Sequence, residues 1–337
     1  MYRSTLPNIR KHSPWLKVAG IAAAVTALLS PAVLAQDNSN GERVSITEGM
    51  RPPLSVTTLN MAKEKNLERI LIEWRAHPAI WNSDVMLLQE VAHFTEDRPS
   101  IAQRLAKEMN RYVVSVPSIP NRDVDGLAII SRYPLTDLKV TQLQHNNMVF
   151  HTRNRITMAA TVQTPFGPLR VYNIHLDSRV NAQARLKQIE PVISEAAQWD
   201  GPCLIGGDFN TNYLRWAGNV LPIGVSFQAH VIQAAMSAKG FTTALVRSGP
   251  TSDFLRLHLD WIYTRDIQVF ETAIQPIKFS DHHAVRMTLA PYSALLPGYT
   301  RQDELAPAAP LAETYGRRRM ACLIVNREAV GCPRGLI

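Results

Sequence analysis

One stretch constrains this chain more than any other: Cys203-Leu204-Ile205, then Gly206-Gly207, then Asp208-Phe209-Asn210-Thr211-Asn212. A short apolar run reads as a buried strand, the glycine pair ends it, and an acid and an amide follow on the turn. That layout sets a carboxylate and a carboxamide at the mouth of a sheet. Ligands of open α/β sheets gather at strand ends, because the loops there can change without disturbing the core. Asp and Asn also cap ordinary turns by bonding their own backbone, so the stretch alone leaves turn and site equally open. The balance is tipped by three further polar clusters, each closing an apolar, strand-like run.

With 337 residues, 46% of them hydrophobic and 19% charged, the chain can bury one large α/β core. Its formal charge of +8 suggests a polyanionic partner until the charges are located. Residues 1–35 carry Arg3, Arg10, Lys11 and Lys17 with no acid, and 301–337 carry six basic against four acidic residues, so 36–300 holds only +2. A near-neutral body gives little support to nucleic-acid binding. Of the three cysteines, Cys203 reads as a small buried hydrophobe. Cys322 and Cys332 lie in the C-terminal tail, where a disulfide needs an oxidising compartment, and no metal-ligand spacing of cysteines exists.

Residues 1–35 have a basic region, an apolar stretch from Val18 to Leu29 and a small-residue ending at Ala35, the pattern of a cleaved secretory leader. An uncleaved anchor in residues 18–35 is the competing reading. A polar linker, 36–53, leads to a body at 54–292. Beyond Tyr292 the Ala-, Pro- and Arg-rich segment 293–337 has no periodicity and is expected to be disordered. Within the body, Leu54–Asn60, Asp84–Gln89, Arg111–Pro117, Gly126–Ser131, Arg155–Thr164, Leu169–Ile174, Leu257–Tyr263 and His283–Leu289 read as strands. Helices are expected around Leu67–Trp74, Ser100–Asn110, Ser178–Trp199 and Gln228–Lys239, with Pro191 kinking the third. Strands and helices alternate unevenly, which predicts an α/β layered fold with mixed sheets.

The polar residues that close or flank these runs are Asn60, Glu90, His175, Asp208, Asn210, Asp260, Asp281 and His282. Each has an ordinary reading as a cap, a turn or a hydrogen-bonded core residue. Together they suit hydrolysis of a phosphate ester, which needs a hard oxygen-ligated cation, a carboxylate to orient and deprotonate water, and donors for the phosphoryl oxygens. Asp260 sits between Leu259 and Trp261 in an apolar run, where a charge is costly without a partner. A cationic His282 would satisfy it, and the carboxylate would raise that histidine's pKa.

Seven segments in this order resemble the endonuclease/exonuclease/phosphatase superfamily of metal-dependent phosphoesterases. They are Thr58-Leu59-Asn60, Leu88-Gln89-Glu90, Gly126 to Pro134, Asn173-Ile174-His175-Leu176, Gly207-Asp208-Phe209-Asn210, Leu259-Asp260-Trp261-Ile262 and Ser280-Asp281-His282. The resemblance covers Leu54 to Leu289 and implies an α/β four-layer sandwich, two packed mixed β-sheets flanked by helices. It implies Glu90 as the principal Mg²⁺ or Mn²⁺ ligand with Asn60 assisting, and Asp281 as a further metal ligand or a support. It makes Asp208 the residue that aligns or deprotonates water, and Asn210 the holder of water and phosphate. By the same resemblance His282 is the phosphate-contacting catalytic histidine oriented by Asp260, and His175 a second phosphate-binding or acid histidine. Asp125 stands where some nucleases of the family place an acid that pairs with that second histidine.

Arg153, Arg155 and Arg179 near the His175 loop are candidate phosphate contacts, Arg179 foremost. The chain departs from the abasic-site endonucleases of the family, having Ala62 where they often carry an acid and His175 where they present a tyrosine. That points to the branch of sphingomyelinases, inositol-polyphosphate phosphatases and pancreatic-type deoxyribonuclease. The expected protein is a secreted or periplasmic monomer with no stable protein partner. Its substrate is a phosphate ester on a small molecule, lipid headgroup or nucleic acid. A nuclease and a non-catalytic binding protein on the same fold are the alternatives.

Overall fold

The computed structural model describes residues 53–92, 99–118, 126–145, 155–178, 180–211, 214–217, 221–224, 227–253 and 256–292. The readings of the leader, the linker through Pro52, the tail from residue 293, Asp125, Arg153 and Arg179 fall outside those residues. One sheet is built from β1 (Leu54–Asn60), β2 (Val85–Val91), β3 (Tyr112–Val116), β4 (Gly126–Ser131), β12 (Ile267–Gln275) and β13 (Ala284–Pro291). Its order is β12-β13-β1-β2-β4-β3. The other contains β5 (Leu135–Gln142), β6 (Ile156–Thr164), β7 (Gly167–His175), β8 (Cys203–Asp208) and β11 (Asp260–Arg265), in the order β11-β8-β7-β6-β5. A small hairpin pairs β9 (Leu214–Ala217) with β10 (Leu221–Gly224).

The sheets pack face to face through Val56, Leu87, Ile129 and Met287 on one side and Met158, Val171, Leu204 and Ile262 on the other. The outer face of the first sheet is covered by α1 (Leu67–Ala76), the short α2 (Pro78–Trp81) and α3 (Ile101–Met109), through Ile70, Trp74, Ile80, Ile101 and Leu105. The second sheet carries α4 (Ala182–Gln198) and α5 (Phe227–Ser237), whose Ile189, Val192, Ile193, Ile232 and Met236 join the inter-sheet core cluster. This is the expected four-layer sandwich of two mixed sheets. Central strands such as β1 and β8 are buried along their whole length; β8 opens on the unbroken apolar run Cys203-Leu204-Ile205 that such burial favours, while β1 buries Ser55, Thr57 and Thr58 among its apolar residues.

Helix ends follow local chemistry. Asn66 accepts the Arg69 amide at 3.1 Å and Asn181 that of Ala184 at 3.0 Å, while Ser100 and Gln103 form a reciprocal capping box. α3 stops at Asn110 in the left-handed region (φ 51°). α4 continues through Pro191, which leaves the Lys187 carbonyl without its helical donor.

Three expectations are corrected. The glycine pair does not end the apolar run: β8 continues through Gly206 and Gly207 to Asp208. Strand β11 starts at Asp260 rather than at Leu257, so that acid opens the strand. Strands β5 and β12 were not expected. They lie at sheet edges and mix polar with apolar residues, β5 largely exposed and β12 mostly half-buried, and charged side chains there block edge-to-edge pairing and weaken the apolar signature.

Gly206 and Gly207 stand where neighbours come close. A Cβ on Gly207, whose φ is +145°, would lie 2.0 Å from the Ile174 carbonyl oxygen, whereas one on Gly206 would meet the flexible Leu87 Cδ1 at 2.8 Å. Gly207→Ala is therefore expected to lower unfolding stability by at least about 2 kcal/mol, and Gly206→Ala by about 1 kcal/mol. Urea unfolding of both variants checks this, and equal midpoints would contradict it.

Candidate active site

Each sheet contains one parallel pair, β1 with β2 and β7 with β8. Parallel neighbours end on the same side, so Asn60 is level with Gln89 and His175 with Asp208. β11 runs antiparallel to β8 with Asp260 opposite Asp208, and β13 runs antiparallel to β1. The starts of β11 and β13 therefore reach the same edge of the sandwich as the ends of the four parallel strands. His282, just before β13, arrives there as well.

Asp208 is the hub. Its Oδ1 accepts the Asn210 amide at 2.9 Å, and its Oδ2 accepts Asn60 Nδ2 at 3.1 Å and Asn210 Nδ2 at 3.2 Å. His175 Nε2 is 3.4 Å and His282 Nε2 3.9 Å from the same oxygen. Asn210 sits at φ 50° and also donates to the Leu176 carbonyl at 2.8 Å. Asp260 Oδ2 accepts Thr251 Oγ1 at 2.7 Å and lies 2.9 Å from His282 Nδ1. Ser280 donates to the Asn60 carbonyl at 2.7 Å and accepts the His282 amide at 3.0 Å, tying the histidine's loop to the end of β1.

Glu90 is placed by a bulge. The β2–β4 register shifts between Leu88 and Val91, and Glu90 takes φ 49°, a conformation that costs a non-glycine residue about 1–2 kcal/mol. The bulge is held from the other sheet: Asn173 donates to the carbonyls of Leu88 at 2.9 Å and Ala128 at 2.8 Å, and accepts Gln89 Nε2 at 2.7 Å. Redirected in this way, Glu90 meets Lys63 Nζ at 3.2 Å and lies 3.8 Å from His175 Nε2.

Two charges are strongly perturbed. Burial raises the Asp208 pKa to about 6; the His282 charge opposes this, Asp260 adds to it, and hydrogen bonds from Asn210 and Asn60 oppose it. For His282, burial favours the neutral ring, but Asp260 and Asp208 outweigh it and lift the pKa to about 10. A raised histidine pKa makes its contribution to stability full below about 6.5 and lost as pH rises through about 10. The raised Asp208 pKa acts in the same direction at lower pH: the fold loses stability as pH climbs from 3.8 to about 6.

Two donor sets fit a cation to different degrees. Glu90, Asn60 and Asp208 offer hard oxygens, and the Lys63 ammonium already rests against Glu90, a stand-in for a cation there. Asp208, Asp260 and His282 have ligand atoms within 4.8 Å of one another, yet His282 Nδ1 is engaged by Asp260, and an imidazolium repels a metal. The first set fits better. Asp281 is exposed, and its carbonyl accepts the Asp253 amide at 2.9 Å; its charge helps to raise the His282 pKa.

The other expected residues, Asn60, Glu90, His175, Asp208, Asn210, Asp260 and His282, are joined by the contacts given above. Sequence reasoning gave no role to Lys63, Thr251, Ser280 or Asn173. Only Asn173 carried a signal, an amide inside an apolar strand that must find partners.

These features gather buried acids, amides and two histidines at one edge of a two-sheet sandwich. The Endonuclease/Exonuclease/phosphatase family model matches residues 57–282, more than half of the chain, and the chain belongs to that family. Its members are hydrolases of phosphoester bonds. Similar solved structures include an endonuclease/exonuclease/phosphatase from Beutenbergia cavernae, with 19% identity, 72% of each chain covered and TM-score 0.55. A family protein from Leptotrichia buccalis has 19% identity, 70% of this chain and 99% of that one covered, and TM-score 0.54. The 3′ phosphatase NExo from Neisseria, bound to product DNA hairpin, has 18% identity, 70% and 99% coverage, and TM-score 0.51. At these identities the likeness establishes the fold alone. No curated protein matches the chain.

Asp260→Asn removes a negative charge from His282 while keeping an acceptor for Thr251. The His282 pKa is expected to fall from about 10 by at least about one unit, read from the ring C–H resonances in an NMR titration. An unchanged value would show that Asp260 does not hold the proton.

Proposed function

We propose that this protein is a secreted or periplasmic phosphoesterase, dependent on Mg²⁺ or Mn²⁺, that hydrolyses a phosphodiester or phosphomonoester by attack of water. The observation that carries the reading is the hub at Asp208: a carboxylate ringed by two amides and two imidazoles at the mouth of both sheets. Glu90 and Asn60 would hold the metal, which would supply positive charge to the phosphoryl oxygens. Asp208 takes a proton from the attacking water, and Asn210 aligns that water. The imidazolium of His282, held by Asp260, donates to a phosphoryl oxygen. The basic, apolar and small-residue order of residues 1–35 supports export.

The test is turnover of bis-p-nitrophenyl phosphate by the purified chain, with and without EDTA. Activity is expected to vanish on chelation and return with Mg²⁺ or Mn²⁺; turnover that survives thorough chelation would overturn the metal mechanism. Asp208→Asn is expected to lower kcat on the order of 10³-fold, as loss of a general base does. In the wild type, kcat/KM is expected to rise through about pH 6 as Asp208 ionises and to fall near pH 10 as His282 deprotonates.

The second reading is a nuclease, favoured by the DNA-bound Neisseria structure among the similar folds. The +2 charge of residues 36–300 weighs against it, since duplex binding relies on many cationic phosphate contacts. Parallel assays on plasmid DNA, sphingomyelin and inositol phosphates decide between them.

A further inference from the structure

We propose that Arg155 is a positioning residue that fixes the proton of His175 on Nε2, making this histidine a directed hydrogen-bond donor in the active site. Arg155 precedes β6, and His175 ends the neighbouring β7, with Thr157 opposite Ile174 in the ladder. Both side chains are buried, and Arg155 Nη1 lies 2.9 Å from His175 Nδ1. A guanidinium has five N–H donors and no acceptor. The Nδ1 atom facing it must therefore present its lone pair. In a neutral imidazole the proton then belongs to Nε2, and a doubly protonated ring would set N–H against N–H.

The Nε2–H points into the wedge between two carboxylates, 3.4 Å from Asp208 Oδ2 and 3.8 Å from Glu90 Oε1. A carboxylate partner at Nδ1 would impose the reverse polarity, because an acceptor there draws the proton to Nδ1 and leaves Nε2 as an acceptor or as part of a cation. The arginine thus assigns His175 to donation, toward an oxygen of the phosphate ester, and leaves proton acceptance from water to Asp208. The rigid ladder between β6 and β7 holds the pair in place, and the Arg155 carbonyl is itself fixed by the Leu143 amide at 2.9 Å. The substrate oxygen served by this donor rests on the phosphoesterase reading, but the tautomer does not.

The experiment is long-range ¹H–¹⁵N NMR of the full chain labelled with ¹⁵N-histidine, with His175→Gln used to assign the resonances. The wild-type ring is expected to show the neutral Nε2–H pattern, with Nδ1 shifted as a hydrogen-bonded imine nitrogen. Arg155→Met should move Nδ1 to the position of an unbonded imine nitrogen, and Arg155→Lys, which keeps a donor, should hold it. If the protein hydrolyses phosphate esters, Arg155→Met should lower kcat about 10- to 100-fold, with recovery in Arg155→Lys. A proton on Nδ1, a doubly protonated ring, or an Nδ1 resonance unchanged in Arg155→Met would overturn the proposal. The wild-type spectrum decides it even if Arg155→Met fails to fold. A correct tautomer in a chain that turns over no ester would leave the proposal standing and count against the enzymatic reading alone.

Discussion

Asp208 and Asp260 face each other across the β8–β11 ladder, both almost wholly buried. Two carboxylates in that relation repel each other and have lost their water. The arrangement persists because His282 lies beside both, 2.9 Å from Asp260 and 3.9 Å from Asp208, and carries the compensating charge. Much of the remaining polar structure serves this trio. Thr251 donates to Asp260, Ser280 accepts the His282 amide, and Asn60 and Asn210 donate to Asp208. Removing one partner leaves an uncompensated charge in a dry place, so the site behaves as a unit.

Topology makes such a unit possible. A parallel pair places two strand ends side by side, and each sheet contains one, so that packing the sheets face to face brings four ends to one edge. The sheets must then be kept in register at that edge. Asn173 does this by reaching from β7 to the carbonyls flanking the β2 bulge, while Gly207 lets β8 approach Ile174 of β7 closely. The bulge turns Glu90 toward Lys63 and His175. Its positive φ stores strain, and the network beneath it keeps the residue from relaxing.

Polarity is arranged as carefully as position. The two histidines face the same Asp208 oxygen, but their far nitrogens meet opposite partners: a carboxylate at His282 and a guanidinium at His175. One ring is consequently cationic, and the other is neutral with its proton aimed inward. Two chemically identical side chains acquire different tasks from the charge behind them.

Periodicity and composition determined the class of fold, the central strands and the helices on either side, because buried elements repeat apolar residues at spacings that no tertiary contact is needed to recognise. The ordered polar segments at strand ends carried the resemblance that implied which side chains meet; that Asp260 needs a partner was legible because a lone charge in an apolar run demands one, and the resemblance pointed to His282 as that partner. Edge strands β5 and β12 were not legible, since solvent relaxes the apolar requirement there. Nor was the role of the glycine pair, which reads as a strand break along the chain and is a close approach in space. Only the tertiary structure decided that Arg155 lies behind His175, that Lys63 lies against Glu90, that Asn173 secures a bulge in the opposite sheet, and that Asp281 stays exposed beside the site. Each depends on distances between residues far apart in the chain or on the direction of a side chain, and neither is encoded in local pattern.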